Sequence, residues 1–226
     1  MKLLIKYATR GRKDKFIKTL HLYLSLRRLA ETKIIISIDQ DDVTMNNPRM
    51  RNDLRLLGCL VDIVPSPSSK IKAINNMLLP GLIGYNAILL ASDDMIPEMQ
   101  GYDKFIIDTL RHYYPDMDGT IHFNDGYTGD KLMTLSVMGT PYFDRFGYIY
   151  HPDYVSLWCD NEQMEVAKLL GKYTYIDKTI IRHEHPAWTG RGNDAIYQRN
   201  DRWYKHDEQT YLRRKAEGFG LKEAAV

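Results

Sequence analysis

The apolar run Ala87-Ile88-Leu89-Leu90-Ala91 ends in Ser92-Asp93-Asp94. Two adjacent carboxylates directly behind a buried strand repel each other, so both stay ionised only beside water or a cation. Carboxylate oxygens are hard ligands suited to Mg2+ or Mn2+, metals that keep positions open for substrate phosphates. A turn or cap explains the same pair when it is taken alone, but its place at a strand's carboxyl end favours the metal. His183 and His185 stand two apart at the end of a strand-like segment, so both can point to one face, and neutral imidazole is a metal ligand. A structural or solvent-facing pair is the plain alternative.

Other polar groups follow other apolar runs. Ala8-Thr9-Arg10-Gly11-Arg12 is a short polar turn leading into a helix, whose free N–H groups favour an anion such as a nucleotide phosphate; Thr9 as a simple helix cap is the alternative. Asp39 opens Asp39-Gln40-Asp41-Asp42, where a carboxylate can accept from a ribose hydroxyl or a base N–H, or face solvent in an acidic loop. Lys70 and Asn75 add a cation and an amide at the same edge. Asp160 and Glu162 open a helix and Asp125 follows another strand-like segment, so each is a candidate general base. Asp160 with Gln163 also fits a capping box, and Asp125 an ordinary turn. Trp188-Thr189-Gly190-Arg191-Gly192-Asn193-Asp194 joins glycines to a cation and an aromatic, a lid in which Arg191 closes over a diphosphate and excludes water, or a plain surface loop.

The elements that position these residues come from 226 residues with 31 Lys+Arg, 29 Asp+Glu, 44% hydrophobic and 11% aromatic residues. This is one ordinary domain or two small ones, and the composition excludes collagen-like and disordered classes. Near-balanced charge identifies no polyanion partner, and two cysteines build neither a disulfide framework nor a cysteine-rich zinc site. The first residues hold no apolar stretch long enough for a signal peptide, and the run 77–91 is interrupted by Pro80, Gly81, Gly84 and Asn86. The expectation is a cytoplasmic protein, in the host cytoplasm if phage-encoded, with no membrane span.

Strand-sized runs at 3–5, 34–38, 60–64 and 87–91 alternate with helical patterns over 12–30, 48–57 and 69–79, which predicts a parallel sheet covered on both faces. Ligands then bind beyond the strands' carboxyl ends. Strands at 119–123, 132–138 and 173–181 and a helix over 161–170 predict an antiparallel continuation. From 196 to 222, seven Lys/Arg stand against four acids with Tyr197, Trp203, Tyr204 and Tyr211 interleaved. That pattern suits a nucleic-acid acceptor or, more plainly, an amphipathic helix packed on the domain.

Ala8-Thr9-Arg10, Ile38-Asp39, Lys70 with Asn75, Leu90-Ala91-Ser92-Asp93-Asp94-Met95, Asp160-Asn161-Glu162 and His183-Glu184-His185-Pro186 together resemble the GT-A glycosyltransferases. The resemblance is to family-2-like enzymes and small bacteriophage glycosyltransferases, and covers most of 1–190. It implies an α/β, GT-A (Rossmann-like) fold with a mostly parallel sheet flanked by helices and an antiparallel C-terminal portion. It further implies a nucleotide-sugar-binding half over 1–97, an acceptor half over 98–190 and a basic, aromatic extension over 191–226. In that family the first strand's end and the second strand's acid hold base and ribose, and an Asp-x-Asp motif binds the metal and the donor diphosphate. Ser92-Asp93-Asp94 departs from strict Asp-x-Asp, leaving Asp94 as the better metal ligand and Asp93 for the donor sugar or ribose. One of His183 and His185 would complete the metal shell. An acid of a Glu-Asp pair serves as base in similar inverting enzymes; here the order Asp-Asn-Glu leaves Asp160 and Glu162, with Asp125 as a third candidate.

The leading expectation is a Mn2+- or Mg2+-dependent hexosyl- or pentosyltransferase moving a sugar from a nucleoside diphosphate sugar, a UDP-sugar first, to a hydroxyl acceptor, with a modified phage DNA base among the candidates. A metal-dependent nuclease or nucleotidyltransferase and a non-catalytic nucleotide- or carbohydrate-binding module are the alternatives.

Overall fold

Four apolar runs form the strands β1 (Leu3–Thr9), β2 (Lys33–Asp39), β3 (Leu60–Val64) and β4 (Ala87–Ala91), which pair in parallel in the order β3-β2-β1-β4. β1 and β4 are buried almost throughout because helices cover both faces. The computed structural model describes residues 1–76, 84–190 and 194–223. Beyond β4 the sheet continues through β7 (Val137–Gly139) and β6 (Thr120–Phe123), both antiparallel contacts, and ends at β8 (Tyr173–Ile176), parallel to β6. A second, two-stranded sheet pairs β5 (Met95–Pro97) with β9 (Ile181–His183) antiparallel.

Helix α1 (Lys13–Leu26) buries Phe16, Leu20 and Tyr23 on one face. Tyr7 of β1 meets Phe16 and Tyr23 edge-on, with ring centroids 5.0 and 5.9 Å apart. The helical pattern over 12–30 stops short at Leu26 because buried Asp103 accepts from the backbone N–H groups of Arg28 (2.9 Å) and Leu29 (2.8 Å) and from the Thr32 hydroxyl (2.7 Å). Those bonds replace the helical ones. α2 (Pro48–Leu56) follows the expected span, capped by Asn47. α3 (Lys70–Asn75), capped by Ser69, ends where Asn76 turns extended, and the rest of the predicted span, beyond Asn76, lies outside the described residues. Fully buried Lys6 secures this end. Its ammonium donates to the Asn76 carbonyl and to Ser37 Oγ, both at 2.5 Å, and lies 3.7 Å from Asp62, while burial pushes its pKa down to about 8.

The strand predicted over 132–138 shrinks to β7, because the Asp125 carboxylate holds Thr128 and Thr134 in a turn. The strand predicted over 173–181 divides into β8, in the main sheet, and β9, in the small one. After α4 (Tyr102–Tyr113) and α5 (Thr140–Asp144), α6 runs over Cys159–Leu169; after α7 (Pro186–Thr189), the chain closes with α8 (Ala195–Asp201), α9 (Tyr204–Ala216) and a 3-10 turn. These last helices pack on the domain. Buried Arg214 of α9 makes a two-pronged ion pair with buried Glu162 (2.8 Å), and buried Asp207 accepts from the backbone of Val155, Ser156 and Leu157. Among the described residues no helix is long and apolar enough to cross a membrane.

Candidate active site

The carboxyl ends of β1, β2 and β4 open into one cleft of about 1120 Å3 including its mouth. Ala8, Thr9 and Arg10 from β1 and its turn, Asp39 from β2, Ser69 and Lys70 at the start of α3, and Ser92, Asp93 and Asp94 after β4 line it. Asp160, His183 and His185 also line it. The parallel strands explain the convergence: their ends share an edge whatever their separation in sequence.

At the first end of the cleft, Arg10 Nη1 donates to Asp39 Oδ2 (2.6 Å) and its guanidinium also grips Asp41. Asp39 Oδ1 and Thr9 Oγ1 are buried and have no partner. Buried polar atoms are normally satisfied, so two orphans at one cleft wall mark a place where a ligand's hydroxyl or amide completes the bonding. Thr9 is not a helix cap; α1 begins at Lys13 behind Arg12, without a side-chain cap.

At the centre, Asp94 is buried among donors. Ser92 Oγ bonds its Oδ1, Tyr197 donates to Oδ2 at 2.6 Å, and His183 Nε2 lies 3.6 Å from Oδ2. Burial opposes its ionisation, but His183, Ser92 and Tyr197 hold its carboxyl well below the usual range. Register explains the His183 contact: β9 sets His183 opposite Met95, and the Glu184 N–H donates to the Asp94 carbonyl (2.8 Å). Asp93 faces the other way, accepting from Arg12 Nη1 at 3.1 Å. Burial and the Asp94 charge push its pKa up to about 6, against the pull of Arg12.

The donor set at this centre decides how the expected metal would be held. Among the described residues, no group of three or more His, Cys, Asp or Glu converges as a metal cage. Asp94 Oδ2 and His183 Nε2 nevertheless fit as two ligands of one Mg2+ or Mn2+, which keeps several positions for water and substrate phosphate. Oxygen and nitrogen ligands each about 2.1 Å from a cation stand roughly 3 Å apart, close to the separation seen. His185 instead accepts at Nδ1 from the Ala187 N–H (3.2 Å) to cap α7, and burial, then the His183 charge, pushes its pKa down to about 4.

Asp160 lines the same cleft. Its carboxyl is raised by burial against the pull of Lys70, and Oδ1 accepts from the Asn161 N–H at 3.1 Å. The capping box with Gln163 does not form. Trp158, with φ 62°, starts the helix two residues early, which puts Asp160 inside the first turn, and the Gln163 amide donates to the Ile149 carbonyl (2.9 Å) instead.

Three sequence candidates lie apart from the cleft wall. Glu162 turns to the other side of α6, into Arg214 and the Tyr154 hydroxyl (2.7 Å). Asp125 is fully buried and accepts from Tyr127 N, Thr128 N, Thr128 Oγ1 and Thr134 Oγ1, which lowers its pKa against burial, while its backbone carbonyl accepts from His183 N–H (3.0 Å). Asn75 spends its amide on the backbone of Ile149 and Tyr150, so it positions Tyr150, which lines the cleft. Arg191 lies outside the described residues.

The sequence reading missed the contribution of α8. Tyr197 and Arg199 line the cleft; Arg12 stacks over the Tyr197 ring at 3.8 Å and pairs with Asp194 (2.7 Å). The aromatic and basic character of the segment was visible, but not its direction.

The sequence matches no protein-family model and no curated protein. Among solved structures, Staphylococcus aureus TarS superposes with a TM-score of 0.61 at 9% identity, over 82% of this chain and 37% of that one. TarS 1-349 in complex with UDP-GlcNAc gives 0.61 at 11% identity, over 87% and 60%. The mannosyltransferase PcManGT from Pyrobaculum calidifontis, in complex with GDP-Man and Mn2+, gives 0.58 at 8% identity, over 80% and 56%. The chain thus spans less than two thirds of each. At these identities the likeness is one of fold, and the α/β architecture is the GT-A one.

Proposed function

We propose that the protein is a divalent-metal-dependent glycosyltransferase that moves a sugar from a nucleoside diphosphate sugar to a hydroxyl acceptor. One observation carries the reading: a single cleft joins the unpartnered Thr9 Oγ1 and Asp39 Oδ1, the Asp94–His183 pair, and Asp160. TarS has been captured with UDP-GlcNAc and PcManGT with GDP-Man and Mn2+, which supports a donor of this class; a UDP-sugar is the first candidate.

In this reading Thr9 and Asp39 orient the ribose or base, with Arg10 fixing the Asp39 carboxylate. Lys70 and Arg199 sit where a diphosphate's negative charge needs compensation. Bound Mn2+ or Mg2+, held by Asp94 and His183, would supply Lewis-acid stabilisation of the leaving diphosphate. Asp160 accepts the proton of the attacking hydroxyl; its raised carboxyl suits a base that returns the proton after transfer. Tyr197, over Asp94, narrows the water access that would favour donor hydrolysis. His183 is favoured over His185 as ligand, and Asp160 over Glu162 and Asp125 as base, because the latter three are committed to structural bonds. Of the C-terminal basic residues, Arg213, Arg214 and Lys215 are paired with Asp153, Glu162 and Glu165, so Arg202 and Lys205 are the ones that support a nucleic-acid acceptor such as a hydroxymethylated base of phage DNA. A panel of nucleotide sugars with Mn2+ or Mg2+, read by thermal shift and donor hydrolysis, tests the reading; no metal-dependent response to any donor would sink it.

A further inference from the structure

A second chamber, of about 720 Å3 including its mouth, adjoins the cleft and shares Ser69, Lys70, Arg199 and Asn200 with it. Its remaining wall is Ser68, Val155, Ser156, Arg202 and Trp203. No acid lines it among the described residues, whereas three cations do, in contrast to the cleft with its five aspartates.

We propose that this chamber is the acceptor subsite and takes a phosphate group of the acceptor, next to the hydroxyl that is glycosylated; the assignment of "acceptor" rests on the glycosyltransferase reading. Lys70 and Arg202 make no ion pair with any described residue, so their charge is available to a ligand. Arg199 reaches the chamber from α8, tethered by the Ser68 carbonyl at 3.3 Å and only loosely by Asp39 at 4.0 Å. Arg202 lines this chamber alone, while Lys70 and Arg199 stand on the boundary it shares with the cleft; cations so placed match a phosphate, for which the arginine fork is suited. A second observation points the same way. Ser68 Oγ and Ser156 Oγ are both buried without a hydrogen-bond partner, Ser156 being 1% exposed. Hydroxyls left unpaired beside cations are donors lacking an acceptor, and phosphate oxygens are acceptors.

The wall is also built to stay in place. Asp207 holds Val155, Ser156 and Leu157 by three backbone bonds of 2.8 to 3.0 Å, and the Val155 carbonyl accepts from Ile71 N–H at 3.3 Å. The indole of Trp203, 41% exposed at the rim, offers a face for the sugar or base attached to the phosphate. Lys70 lines both chambers and Asp160 lines the cleft beside it, so a phosphate seated here leaves a neighbouring hydroxyl to extend into the cleft that holds the proposed base.

The test is calorimetric titration of the full chain with inorganic phosphate, with the dinucleotide TpT, and with its uncharged methylphosphonate analogue. The proposal predicts that phosphate and TpT bind, that the analogue binds at least about tenfold more weakly, and that Arg202→Ala weakens TpT about tenfold and Ser156→Ala severalfold at unchanged melting temperature. Binding of inorganic phosphate without TpT assigns the subsite to a phosphate monoester; stronger binding of TpT assigns it to a phosphodiester. Asp94→Asn should leave TpT affinity unchanged while abolishing metal-dependent nucleotide-sugar binding, which separates this inference from the donor reading. Equal affinity for the methylphosphonate, equal affinity for acetate, no binding of either phosphate probe, or indifference to Arg202→Ala overturns it.

Discussion

The Tyr197 hydroxyl donates a 2.6 Å hydrogen bond to Asp94 Oδ2 across 103 residues of sequence, and both residues are buried. This bond ties α8 to the centre of the cleft, while Arg12, the residue that precedes α1, stacks on the same ring and ties it to the first helix. Tyr197→Phe keeps the ring and its stacking but removes the donor. Hydrogen bonds to charged groups are worth about 1.5–3 kcal/mol, so a loss of roughly that size in denaturant unfolding is expected. Unchanged stability would mean the bond is not formed in solution.

Asp160→Asn separates chemistry from binding. The amide is nearly isosteric and leaves the first turn of α6 intact, but it cannot accept the acceptor's proton. Transfer should fall a hundredfold or more, the usual scale of general-base catalysis, with donor affinity within about twofold of wild type. Wild-type transfer by this variant would remove Asp160 from the mechanism. Because burial raises its carboxyl, the wild-type rate should also rise with pH through a midpoint above the ordinary aspartate value.

Glu162→Ala should behave oppositely. It strands Arg214 in a buried position, a change that costs about 3–5 kcal/mol in comparable buried pairs. The expected result is a large fall in melting temperature, with per-molecule transfer by the folded fraction unchanged. A stable but inactive Glu162→Gln would return Glu162 to candidacy as base.

The acid limb of stability should carry a histidine signature. His122 is fully buried, and desolvation pushes its pKa down to about 4. The unfolded chain takes up a proton near pH 6.5 that the native state refuses, so this contribution to stability is complete above pH 6.5 and is lost as pH falls toward 4. His122→Gln should flatten that slope in melting temperature against pH; an unaltered slope assigns it to other groups, with His185 the next to substitute.

The residues legible in the sequence are those whose position follows from one strand. Asp39, Asp93 and Asp94 each end an apolar run, and parallel pairing brings such ends together without further information. What stayed hidden depends on partners distant in sequence. The fate of Glu162 is set by Arg214, 52 residues away, and the end of α1 by Asp103, 75 residues from Arg28. Tyr197 and Arg199 lie in a segment whose pattern describes an amphipathic helix but not which cleft it covers. The roles of His183 and His185, equivalent by spacing, part only through the register of β5 with β9.

In the proposed function Asp94 and His183 hold a divalent cation that nucleotide-sugar binding requires. Calorimetric titration of wild type and Asp94→Asn with the donor selected from the panel, with Mn2+ and then with EDTA, tests it most directly. The account predicts micromolar-range binding by wild type with Mn2+ and at least about a hundredfold weaker binding both in EDTA and in the variant. Equal affinity in all three conditions would contradict it.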